Sequence, residues 1–259
     1  MPYGLSEIQL VIFGLVLLRM ASFIVSSIIF GSNNISAPVK ILLSLTLTMM
    51  IFPTIQLAAV DTAKLTEDLI LLSAREVVLG LSLGFLTRLF FFAIGMMGEL
   101  VSTSIGLGAA QMFNPLMGTQ SNTVEQFYTT IATLVFFSLN GHHLMLGAIA
   151  QSYELIPIAQ LKLNMAPFAE MATFAQDMMV MAVKMCAPII AALLITNIAM
   201  GVLGRAVPQI NVLVTSMPVT LMIGFVLMFI CIPLLVMEMN SVLDMTQTKL
   251  TLVMKALAF

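Results

Sequence analysis

Between two long apolar runs, the stretch Gly95 to Gln126 is too apolar for a solvated loop and too broken for an uninterrupted helix. Gly98, Gly106, Gly108 and Gly118 loosen the backbone, and Pro115 removes a hydrogen-bond donor. Leu107, Ala109, Ala110, Met112, Phe113, Leu116 and Met117 would not choose water. Irregular backbone at membrane depth is tolerated only where protein buries it or a cavity receives it. The stretch therefore predicts an apolar loop in a protein-lined space. It reads either as a plug or gate, or as a re-entrant or interfacial connector.

The flanking runs make water a poor solvent for this chain. Of its 259 residues 60% are hydrophobic and only 8% charged, whereas soluble domains carry about 25% charged residues. The mean hydropathy is +1.10. An integral membrane or membrane-assembled protein is expected. The net charge of −2 comes without a Lys/Arg cluster, which leaves no electrostatic footprint for nucleic acid or anionic lipid. Cys186 and Cys231 lie in separate apolar runs and read as small buried hydrophobes. No basic segment precedes the first run, which does not look like a cleavable signal. The chain has 23 Met and no Trp, so the aromatic belt of a lipid-facing bundle is thin. Its methionines read as core filling or as a deformable lining.

Taken in order, Ile8 to Phe30 is long enough to cross a bilayer, with Arg19 near its middle. A charge there needs a carboxylate or carbonyls as partner. Gly31 to Asn34 is a turn, and Ser36-Ala37-Pro38 fits a helix start. Pro53 should kink or end the second run, Val39 to Val60, and Thr66 is a candidate N-cap for the third, Leu69 to Met97. Within the third run Arg75 and Glu76 point about 100° apart, so each needs a partner on another helix or subunit. Glu76, Gly80, Gly84 and Arg88 follow at i, i+4 spacing and form a stripe of charge and small residues, first of all a packing face.

Phe127 to Ser152 is apolar around Asn140-Gly141-His142-His143. Adjacent histidines diverge on a helix and no carboxylate follows at metal-binding spacing, so a helix-end or interfacial role is expected rather than a metal site. The polar stretch Tyr153 to Asp177 should connect two halves and hold a short amphipathic helix. Met178 to Leu203 carries Lys184 and Pro188. Gly204 to Asn211 is a polar bend, and Met217-Pro218 opens the run Val219 to Met237, making a helical hairpin. The tail from Glu238 is mildly amphipathic. Domain organisation is thus 1–153 with the loop at about 106–122, a connector at 154–177, and a hairpin with tail at 178–259. Cationic residues are too few for the positive-inside rule to orient the chain.

Four ordered segments resemble the FliR family, the membrane component of the bacterial flagellar export gate and of related virulence secretion systems. They are Gly98-Glu99 with Ser102 and Gly106-Leu107; Phe113-Asn114-Pro115; Asn140-Gly141-His142 with Leu144; and Arg205 with Pro208-Gln209, Asn211 and Pro218. The resemblance implies an all-α fold of membrane-associated hairpins, assembled with the FliP and FliQ subunits into a helical cone around the route of unfolded flagellar subunits. It places the protein in the inner membrane at the flagellar basal body. The loop Gly106, Leu107, Met112, Phe113, Asn114, Pro115, Leu116 and Met117 corresponds to the family's internal plug. Asn114 stands where many relatives carry an acidic residue, which leaves Phe113 and the methionines as the seal. The C-terminal hairpin resembles a FliQ-like unit, whose bend at Arg205, Pro208, Gln209 and Asn211 would meet partners, among them the FlhB switch protein. Arg19, Arg75, Glu76, Arg88 and Glu99 read as structural charges.

The competing class is a secondary transporter or ion channel with a broken helix at its site. Against it stand the lack of a clear internal repeat and the scarcity of coupling carboxylates, namely Glu76 and Glu99. An intramembrane enzyme would need a nucleophile–base pair or a metal set that the spacing does not supply. No enzyme activity and no cofactor are expected.

Overall fold

The computed structural model describes residues 7–32, 35–55, 69–107, 123–158, 166–207, 209 and 211–258. All regular structure among them is helical: α1 (Glu7–Ser26), α2 (Ala37–Ile51), α3 (Leu69–Ile105), α4 (Thr123–Ser138), α5 (Gly141–Leu155), α6 (Ala166–Ala206), α7 (Val212–Ile230) and α8 (Ile232–Ala258). Four described helices are long and apolar enough to cross a membrane, or six spans if each bent pair counts as one. The bent pairs are α4 with α5, at 67°, and α7 with α8, at 54°.

Local chemistry sets these boundaries. A 3-10 turn, Phe52–Thr54, carries Pro53 and ends α2. Ser36 precedes α2 with extended backbone, but its side chain makes no capping bond. Asn140 adopts left-handed backbone, φ 55°, and divides the apolar run Phe127 to Ser152 into α4 and α5. Asparagine tolerates that conformation better than most residues.

Three expectations are corrected. Gly98 does not break the helix, because α3 runs unbroken through it to Ile105. Among the described residues of the polar connector no separate short amphipathic helix stands; Ala166 already begins α6, 41 residues long with Pro188 inside it. Pro218 does not open the last run either, since α7 starts at Val212 and carries the proline internally. At Gly98 and Pro218 the neighbouring helical turns outweigh one unfavourable residue.

The chain forms two compact units that are not consecutive in sequence. One gathers Met1–Phe90, Asn140–Ala175 and Asp244–Phe259; the other gathers Phe91–Leu139 and Gln176–Leu243. In the first unit α1 buries Ile12, Leu15, Val16, Arg19, Met20, Phe23 and Ile24, a stripe at helical spacing. Its seam with α3 is built from small residues. A Cβ on Gly80 would collide with Ser22 and the Arg19 carbonyl, and one on Gly84 with Ser26. The hydroxyl of Ser26 donates to the Leu81 carbonyl at 3.0 Å across the same seam.

In the second unit α4 buries Val124, Tyr128, Ala132 and Phe136 at i, i+4 spacing. The Phe136 ring lies 5.5 Å from that of Phe91 on α3. Outward-facing positions of this unit stay apolar. Leu194, Ile195 and Ile198 on α6 and Met222, Val226 and Ile230 on α7 are all more than half exposed. An apolar face of that extent belongs against lipid or another protein.

Candidate functional site

Segment 108–122 lies outside the described residues, and with it Met112, Phe113, Asn114, Pro115, Leu116 and Met117. Its two roots are well defined. At the first, α3 stops on Gly106, whose φ of +96° only glycine adopts without strain. Leu107 N–H donates to the Ser102 carbonyl and Gly106 N–H to the Thr103 carbonyl, both at 3.1 Å. This pair of bonds is the Schellman pattern of a glycine-terminated helix. At the second root, α4 begins at Thr123.

Close helix approach fixes both roots. A Cβ on Gly98 would stand 2.7 Å from the Glu125 Cα, so the end of α3 and the start of α4 touch backbone to backbone. A Cβ on Gly224 of α7 would stand 2.6 Å from the Ile105 side chain. Small residues therefore allow three helices to converge where the segment leaves and returns. Glycines 95 and 98 act as contacts rather than breaks, which is why α3 continues through them.

The structural charges fall into distinct settings. Arg19 and Glu76 are fully buried and paired, with Nε donating to Oε2 at 2.6 Å. Nη1 of Arg19 donates to the Ser152 carbonyl and to the Ile156 carbonyl, both at 3.1 Å. Nη2 donates to the Ile156 carbonyl at 3.1 Å. The guanidinium also lies 4.4 Å from the Tyr153 ring centroid. That tyrosine donates its hydroxyl to the Val16 carbonyl at 3.0 Å. Arg75 is half-buried, and its Nε is enclosed without a hydrogen-bond partner. Arg88 and Glu99 are exposed. Ser152, Ile156 and Tyr153 were not singled out from sequence; the Arg19 charge signals that acceptors exist but not where.

At the hairpin bend Arg205 is exposed in the last turn of α6, where its charge complements the helix dipole. Gln209 and Asn211 are exposed, and Pro208 lies outside the described residues. The Asn211 side chain does not cap α7; its carbonyl accepts from Val214 and Thr215 N–H, both at 3.1 Å. His142 and His143 sit in the first turn of α5 with ring centroids 4.2 Å apart. Among the described residues no group of three or more His, Cys, Asp or Glu is placed to hold a metal ion.

The model of the family described as "Bacterial export proteins, family 1" matches residues 10–246. That span holds the buried charge node, both roots of segment 108–122 and the hairpin bend. The chain belongs to this family. Similar members are named flagellar biosynthetic protein FliR. The Bacillus subtilis protein is 30% identical over 90% of this chain and 91% of its own length. The Aquifex aeolicus protein is 29% identical over 86% of each. The Escherichia coli protein is 26% identical over 85% of this chain and 83% of its own. The similarity therefore runs over most of the chain rather than through one motif of it.

Proposed function

We propose that this chain is a structural and gating subunit of the bacterial flagellar protein-export gate, in the inner membrane at the basal body. In this reading it combines with FliP and FliQ around a route for unfolded flagellar subunits and meets FlhB at the bend Arg205 to Asn211. The carrying observation is the family match across residues 10–246, together with flagellar relatives aligned over most of their length.

Helix length supports the reading. At 37 and 41 residues α3 and α6 extend about 55 and 60 Å at 1.5 Å per residue. A hydrocarbon core is about 30 Å thick, so each helix outruns it nearly twofold. Such helices need protein around them beyond the lipid, and the exposed apolar faces of α6 and α7 offer surface for it.

Segment 106–122 acts as the plug. Met112, Phe113, Leu116 and Met117 provide an apolar constriction that stops ions by dewetting and yields to a passing polypeptide. Asn114 adds no charge there. The hairpin and tail, 178–259, act as the FliQ-like part. No chemistry is performed on the cargo.

Co-purification tests the assembly. The chain should come out of membranes as a stable hetero-oligomer with its neighbours. A self-sufficient monomer that binds a small solute would overturn the reading in favour of a transporter.

A further inference from the structure

We infer that Arg88 pairs with a carboxylate on an apolar helix of a neighbouring subunit, docked along the outer face of α3. Within the first unit that face runs Ile70, Ala74, Leu81, Phe85 and Arg88, all exposed. At 3.6 residues per turn these five lie within about 60° of one another. Arg88 belongs to the Glu76–Gly80–Gly84 stripe by spacing alone. Each i, i+4 step overshoots a full turn by about 40°, so three steps carry it about 120° round from Glu76. Glu76, Gly80 and Gly84 are buried, and α1, which covers them, ends at Ser26 against Gly84. Arg88 comes out beyond that cover.

Neither water nor lipid suits this face. Ile70 is 88% exposed, and Leu81 and Phe85 stand at 42% and 41%, apolar surface that gains from being covered. Arg88 lies 19 residues from Leu69 and 17 from Ile105, about 28 and 25 Å at 1.5 Å per residue. A hydrocarbon core about 30 Å thick, laid anywhere along α3, therefore includes it. A cation at that depth needs a counter-charge. Among the described residues the Arg88 guanidinium has no hydrogen bond or ion pair. Arg19 shows how this chain treats a guanidinium inside its own fold, with Glu76 at 2.6 Å. For Arg88 the carboxylate comes from another chain, on a helix whose other side chains cover Ile70, Leu81 and Phe85. The outer face of α2 makes a contrast. Val39, Ile41, Leu42, Met49 and Met50 are more than half exposed there, and with no charge among them that face asks only for apolar cover.

The inference rests on the reading that the chain assembles with neighbouring subunits, and it names the chemistry of one contact. The test uses the full chain co-expressed with those subunits and extracted in mild detergent. Arg88→Glu should cut the recovered hetero-oligomer by about tenfold or more, because like charges then meet. Acidic residues on apolar helices of the co-expressed subunits are next reversed to Lys one at a time. One such reversal should restore assembly with Arg88→Glu and weaken it with Arg88. A second measurement leaves Arg88 in place: photoreactive benzoylphenylalanine put at Phe85 should cross-link to the subunit that carries this acid. Undiminished recovery with Arg88→Glu, no reversal that restores it, or a link from Phe85 to lipid alone or to nothing overturns the contact. A wild-type chain that purifies alone fails the assembly reading. A wild-type hetero-oligomer that Arg88→Glu leaves intact fails only the contact.

Discussion

A guanidinium shut away from water must take its hydrogen bonds from protein, and Arg19 takes them from α3, from α5 and from the turn after it. The carboxylate of Glu76 neutralises the charge, and the Ser152 and Ile156 carbonyls use donors the carboxylate cannot reach. Removing one partner of such a pair costs about 3–5 kcal/mol, because the other charge is left buried alone. Arg19→Met should therefore lower the unfolding midpoint markedly. The double variant Arg19→Met/Glu76→Met should recover most of the loss, as read by thermal unfolding in detergent. Arg19→Lys should not rescue, since an ammonium cannot reproduce the planar fork. Gly106 is the second residue of this rank. Its left-handed φ makes Gly106→Ala cost about 1–2 kcal/mol, visible as faster proteolysis at the end of α3.

At the scale of elements, packing rests on glycines whose roles differ. Gly80 admits the backbone of α1, whereas Gly14 has nothing within 4 Å. Gly80→Leu should separate α1 from α3 and abolish recovery of folded protein. Gly14→Ala should be neutral or stabilise by up to about 1 kcal/mol through helix propensity. Equal tolerance at the two sites in a yield and Tm comparison would refute the seam. The apolar runs, the Glu76–Gly80–Gly84 stripe and the bend after Arg205 were legible in sequence, because burial and turn chemistry leave local signatures. The continuity of α3 through Gly98 was not. It depends on Glu125 arriving from another helix, a contact that no local pattern announces. Pro218 misled for a related reason: it stands inside α7, where the turns begun at Val212 carry the helix through it. Asn140 showed as a polar interruption, but its left-handed backbone and the 67° bend did not.

For the whole molecule, the proposed gate makes the segment between Leu107 and Thr123 dispensable for folding and necessary for sealing. Both its roots are fixed by contacts outside it, at Gly98–Glu125 and Gly224–Ile105. Deleting 108–122 and joining the ends through a short glycine linker should leave the hetero-oligomer intact and make the membrane permeable to ions. An intact complex in a tight membrane would rule out the plug.

The buried arginine also bears on how the protein is made. Arg19 lies in α1, yet its Ile156 acceptor is 137 residues further on. At about 5–20 residues per second, translation leaves that cation without its full set of acceptors for roughly 7–27 s. A bare arginine at the centre of an inserting helix costs about 2.5–3.5 kcal/mol. α1 should therefore insert more readily together with α3 and α5 than alone, which glycosylation mapping of truncated chains would read.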